Sequence, residues 1–142
     1  MEVCRHKGLL VAVLTRNEHC PPHVHVGTAD WEARYEFCFW HNDVSLLDVV
    51  PVKNQPSVAV LEDLRQVIKN PLNLRRARKG WWEVLGSTCL ENQMWDAKQQ
   101  EVVSPKAKRL GSRVITAAVF DGRQYKTFLT LAGLDKPVEI EL

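Results

Sequence analysis

The sequence predicts an α+β protein: an antiparallel β-meander followed by two helices, plus a C-terminal β-hairpin unit. Three observations predict it. Apolar and polar residues alternate with period two between residues 31 and 40. Apolar residues recur at helical spacing between Ser57 and Gly86. Asp121-Gly122 separates two strand-like runs near the C-terminus.

Residues 8–15 contain Leu9, Leu10, Val11, Ala12, Val13 and Leu14 and read as a buried strand. Residues 16–22 form a connector, because Pro21 and Pro22 cannot donate to a ladder. Residues 23–28 are a second short strand, with Val24 and Val26 on one face and His23 and His25 on the other. After a turn at Gly27-Thr28-Ala29-Asp30, the third strand sets Trp31, Ala33, Tyr35, Phe37 and Phe39 against Glu32, Arg34, Glu36, Cys38 and Trp40. Residues 44–52 are a fourth strand, completing a meander with one wet face.

Ser57 caps a helix running to about Asn70, with Val60, Leu61, Leu64, Val67 and Ile68 as its stripe. Asn70-Pro71 is an N-cap followed by an N1 proline, and the second helix turns Leu74, Ala77, Trp81 and Leu85 inward before stopping at Gly86. Gly80 weakens that helix by about 1 kcal/mol relative to alanine and marks where it would break. Residues 91–112 are polar without long periodicity and read as a connection. Residues 113–120 and 123–131 then pair across a two-residue Asp121-Gly122 turn, and residues 137–142 add an edge strand. The expected organisation is a histidine-motif domain over residues 1–92, a linker over 93–112 and the hairpin unit over 113–142.

With 142 residues, 45% of them hydrophobic and 25% charged, the chain can bury a core as one domain or as a small domain with an appendage. No apolar stretch reaches the roughly 18 residues of a membrane span, and the run over residues 9–14 lacks the cleavage site of a signal peptide. Cys4, Cys20, Cys38 and Cys89 are widely spaced without a C-x-x-C pair, so the expectation is four reduced thiols in a cytoplasmic protein. Net charge is only +2, but it is unevenly placed. Residues 17–63 carry a net of −6, with eight acids against Arg34 and Lys53, whereas residues 65–79 carry +6 with no acid. Within the basic stretch, Arg75, Arg76, Arg78 and Lys79 are the candidate contacts to a nucleic acid or an acidic protein partner. No helix-turn-helix, zinc finger or RNA-recognition signature accompanies them, so sequence-specific reading has no support.

The densest chemistry lies in Asn17-Glu18-His19-Cys20-Pro21-Pro22-His23-Val24-His25-Val26. His23 and His25 are two apart on a strand and share a face, a spacing that suits two ligands of one divalent transition metal. His19, folded back by the proline turn, is the candidate third ligand, and the same three imidazoles are candidate acid–base catalysts near neutral pH. A converging site would also contain a carboxylate from Glu18, Asp30 or Glu32. The simpler alternative is two solvent-facing histidines beside a rigid turn.

This segment resembles the small domain of unknown function numbered 4160, whose hallmark matches Asn17, Glu18, His19, Pro21, Pro22, His23, His25 and Val26. The resemblance runs through the strand at residues 32–36 to Trp81-Trp82-Glu83, about the first three-fifths of the chain, with Cys20 as a departure. The tail from Arg113 to Leu142 is similar to another β-rich domain of unknown function, numbered 2442. The resemblance implies a bacterial accessory protein of a toxin–antitoxin or mobile-element cassette, acting as a binding module for a protein partner or nucleic acid. The competing reading is a histidine-based, metal-dependent phosphodiester hydrolase. Homodimerisation through the aromatic strand or the C-terminal hairpin is a further expectation, because Cys38 and Trp40 make that strand apolar on both faces. No membrane partner is expected.

Overall fold

The computed structural model describes residues 1–142, and the chain divides into two compact units: Met1–Cys38 with Asn42–Gly86, and Phe39–His41 with Ser87–Leu142. Period-two alternation produces the first unit's five-stranded antiparallel meander, in the order β1-β2-β3-β4-β5. The strands are β1 (Glu2–His6), β2 (Leu9–Ala12), β3 (His23–Gly27), β4 (Glu32–Glu36) and β5 (Ser45–Val50). Strand β1 was not expected. It pairs with β2 through a two-residue turn at Lys7 and Gly8, whose φ values of 50° and 81° are those of the hairpin turn that matches sheet twist. Lysine is an unusual first residue for such a turn, which hid it.

Helix α1 (Val58–Lys69) follows, capped by Ser57, whose hydroxyl accepts from the amide of Val60. Helix α2 (Pro71–Leu85) is capped by Asn70 and ends at Gly86 with φ 63°, in the left-handed region that glycine tolerates. It runs unbroken through Gly80, the position where the helix was weakest. Gly80 is buried, and a Cβ there would make ordinary van der Waals contact with Val13 at 3.6 Å. The core joins Val11, Val24, Ala33 and Tyr35 of the sheet to Leu64, Ile68, Leu74 and Trp81 of the helices. Burying these side chains contributes about 1.5–3 kcal/mol for each large one. The Tyr35 hydroxyl donates to the carbonyl of Leu61 at 2.7 Å. Burial pushes that phenol up to about 12.

The second unit is a five-stranded antiparallel sheet in the order β10-β9-β8-β6-β7. Its strands are β6 (Met94–Asp96), β7 (Glu101–Val103), β8 (Arg113–Asp121), β9 (Lys126–Leu131) and β10 (Val138–Glu141). The segment expected as a linker over residues 93–112 therefore carries β6 and β7, which pair at Trp95↔Val102, and Trp95 is buried. Three residues are too few to display a period, so these strands were not legible. The hairpin of β8 and β9 exists, but its turn differs from expectation. Asp121 pairs with Lys126, so residues 122–125 form the loop, and the positive φ of 54° falls on Tyr125 rather than Gly122. The Asp121 carboxylate accepts from the amides of Arg123 and Gln124, holding this longer turn by an aspartate-capped bend. Phe39 packs edge-on against Phe120 in this unit's core, with ring centroids 5.1 Å apart.

Cys4 and Cys38 are reduced, but Cys20 and Cys89 each take part in a disulfide, correcting the expectation of four reduced cysteines. Which cysteines oxidise is decided by the fold rather than by spacing along the chain. No helix is long and apolar enough to cross a membrane.

Candidate functional site

Strand β3 presents the histidines. Antiparallel register sets His23 opposite Glu36, His25 opposite Arg34 and Gly27 opposite Glu32, while Arg34 lies opposite Asp48 of β5. One sheet face therefore carries a row of polar side chains, and Val24 and Val26 point into the core as expected. Gly27 closes the β3–β4 turn. A Cβ at this position would sit 2.2 Å from the carbonyl oxygen of Trp31, so only glycine permits the approach that fixes the His25–Glu32 pairing.

The connector before β3 folds Glu18 back over the two imidazoles. Ligand atoms of Glu18, His23 and His25 all lie within 4.8 Å of one another. The cluster is enclosed, with side-chain exposures of 5% for Glu18, 3% for His23 and 13% for His25. His23 Nδ1 lies 2.7 Å from the carbonyl oxygen of Pro21, which can only accept, so this nitrogen carries the proton. The ring's other nitrogen, Nε2, lies 2.8 Å from Glu18 Oε2. These two atoms are close enough to pair as ions, yet no hydrogen bond is aligned between them, and Glu18 Oε2 is buried without a donor. His25 Nε2 lies 3.1 Å from Glu18 Oε1 and its Nδ1 lies 2.7 Å from Glu32 Oε1. Beside the cluster, Arg34 and Asp48 pair through two nitrogens and two oxygens, and the Arg34 hydrogen bond holds the Asp48 carboxyl below its usual range.

The structure brings His23 and His25 together as the motif suggested. His19 is exposed, with its ring 6.5 Å from that of His23, and the third member of the cluster is Glu18 instead. Asp30 is exposed on the turn, its carbonyl accepting from Asn54, and takes no part. His23 is not solvent-facing: it is 2% exposed and its ring lies 5.3 Å from that of Trp81. On α2, Arg75, Arg76 and Lys79 are exposed, but Arg78 is buried. Arg78 donates to the carbonyl of Cys38 and to the Asn42 side chain, and burial lowers its guanidinium to about 10. The helical stripe could have signalled this, since Arg78 stands one position from Ala77 and four from Leu74. Arg34 and Asp48 were not singled out, although period two places Arg34 on the histidines' face.

No known family model, curated protein or solved structure matches the chain. The resemblance of residues 17–26 to a known domain therefore rests on the motif alone.

Proposed function

We propose that the protein is a metal-dependent hydrolase whose divalent transition-metal ion is held by Glu18, His23 and His25. One observation carries the reading. Glu18, His23 and His25 bring one ligand atom each within 4.8 Å of one another in a nearly closed setting, and Glu18 Oε2 is buried without an aligned hydrogen bond. A buried carboxylate oxygen without a hydrogen bond is costly, and a cation held among these three groups would satisfy it. The surrounding bonds support the same reading. The Pro21 carbonyl fixes the tautomer of His23, and Glu32 grips Nδ1 of His25, the outer partners that metal-ligating histidines ordinarily have.

Two imidazoles and one carboxylate match the donor set of hydrolytic zinc sites, which keep a position for water, rather than the four-ligand set of structural ones. The ion, when bound, would lower the pKa of that water toward about 7. The chain's own part is positional: Pro21 and Glu32 hold the rings, Trp81 shields His23, and exposed His19 stands outside the ligands where it can exchange protons with solvent.

The test uses the full chain, stripped with a chelator and reloaded with one equivalent of zinc or cobalt. Hydrolysis of activated phosphodiesters, esters and amides is followed. Turnover should require the metal and disappear in Glu18→Gln and His25→Ala. Turnover equal to that of free metal, or unchanged in both variants, would refute it.

A second reading, contact with a polyanionic partner such as nucleic acid or the acidic half of a toxin–antitoxin pair, is favoured by exposed Arg75, Arg76 and Lys79 on α2. It predicts binding that weakens with salt and falls when two of the three are replaced.

A further inference from the structure

Beside the cluster, on the same sheet face, lies a surface cleft of about 330 Å³, at the small end of ligand-cavity sizes. Its floor is apolar: Leu10, Ala12 and Leu14 line it, and Leu10 and Leu14 remain 39% and 42% exposed. Its polar groups are Thr28, His25 and Glu32, and it contains no cationic side chain apart from the imidazole. Glu32 is the feature that gives the cleft a preference. Its Oε1 is engaged by His25 Nδ1, yet the side chain is 54% exposed, so Oε2 is available to a donor arriving through the cleft.

The geometry points to a binding site for a small aliphatic ammonium compound. The alkyl body lies on Leu10, Ala12 and Leu14, and the ammonium donates to Glu32 Oε2. An exposed carboxylate with no lysine or arginine in the cleft attracts a cation and repels carboxylates and phosphates. The apolar floor adds affinity for a body of a few methylene groups. The cleft touches His25 on its Nδ1 side, whereas Glu18 faces Nε2. A ligand here thus does not occupy the metal position. It acts on that position through Glu32, whose charge it shares with His25 Nδ1, and this part alone rests on the metal reading. Coupling of this kind is reciprocal: an amine that weakens the metal is itself weakened by the metal.

The experiment titrates n-pentylammonium into the full chain in the presence of a chelator, with binding read by calorimetry and by NMR shifts of the Leu10 and Leu14 methyl groups. The absence of metal keeps the outcome independent of the hydrolase reading. Pentylammonium should bind, pentanoate should not, and Glu32→Gln should weaken binding about tenfold. Leu14→Ser should weaken it as well, while both variants retain wild-type circular dichroism. Equal binding of pentanoate, no methyl shifts with either ligand, or affinity unchanged in Glu32→Gln would overturn the proposal. A repeat with one equivalent of zinc tests the coupling: amine affinity should fall, and an unchanged value would remove that part alone.

Discussion

Each unit encloses a carboxylate beneath its surface, and the two are satisfied differently. In the second unit, Asp96 is 8% exposed, accepts from the amide of Gln99 and from Arg109, and shares that guanidinium with Glu101. These hydrogen bonds, with that from Gln99 the largest influence, hold its carboxyl below the usual range. In the first unit, Glu18 is 5% exposed and has a donor on Oε1 alone. A buried carboxylate with its donors in place is a structural joint. One left with an oxygen that has no aligned hydrogen bond is an incomplete arrangement that a cation would complete. The difference separates a stabilising cluster from a candidate site, although both are built from the same residue types.

The largest expected effect is that of His23→Ala. It should abolish metal binding and also destabilise the first unit by about 2–3 kcal/mol, because the ring is buried against Trp81. The sequence alone suggested that this ring was dispensable to the core. His25→Ala should remove metal binding at a much smaller cost to the fold. Denaturant unfolding alongside metal titration of both variants separates the two roles.

Gly27→Ala comes next, with a loss of about 1–2 kcal/mol, since the added methyl meets the Trp31 carbonyl 2.2 Å away. Thermal unfolding measures it. A stable variant would mean that the turn yields more readily than its backbone contacts imply.

Glu18→Gln and Asp96→Asn set the two clusters directly against each other. Without metal, Glu18→Gln should leave stability unchanged or raise it, whereas Asp96→Asn should lower it. The second effect should depend on pH. Because the folded Asp96 carboxyl lies below its ordinary value, its stabilisation is present above about pH 3.9 and is lost as pH falls through the depressed value. The gap between wild type and Asp96→Asn, followed by unfolding at successive pH values, should close in acid.

How much of this was legible follows from particular residues. Ser57, Asn70-Pro71 and Gly86 announced both helices, because caps are local chemistry that tertiary context rarely overrides. The shared face of His23 and His25 followed from strand period, whereas Glu18 was one of three candidate carboxylates and its place in the cluster, where His19 was expected, was not legible. Strands β6 and β7 were not legible either, being too short to show a period. The orphaned oxygen of Glu18 was beyond reach too, since whether a buried atom has a donor depends on angles that no spacing encodes. Asp121-Gly122 misled because the dipeptide also suits a longer loop capped by the aspartate itself.

The smallest expected effect is that of Tyr35→Phe, a loss of about 1 kcal/mol from the hydrogen bond to Leu61. The Tyr35 phenol is raised to about 12. Its stabilisation is thus complete below an ordinary tyrosine value of about 10 and declines as pH climbs from there to the raised one. Phenolate absorbance of wild type minus variant should appear only toward that upper limit.

The central claim is that Glu18 completes a metal triad with His23 and His25, and calorimetric titration of zinc into the chelator-stripped full chain near neutral pH tests it most directly. One ion should bind per chain, about 100-fold more weakly in Glu18→Gln, with little change in His19→Ala. No binding by the wild-type chain, or an affinity that depends on His19 and not on Glu18, would contradict it.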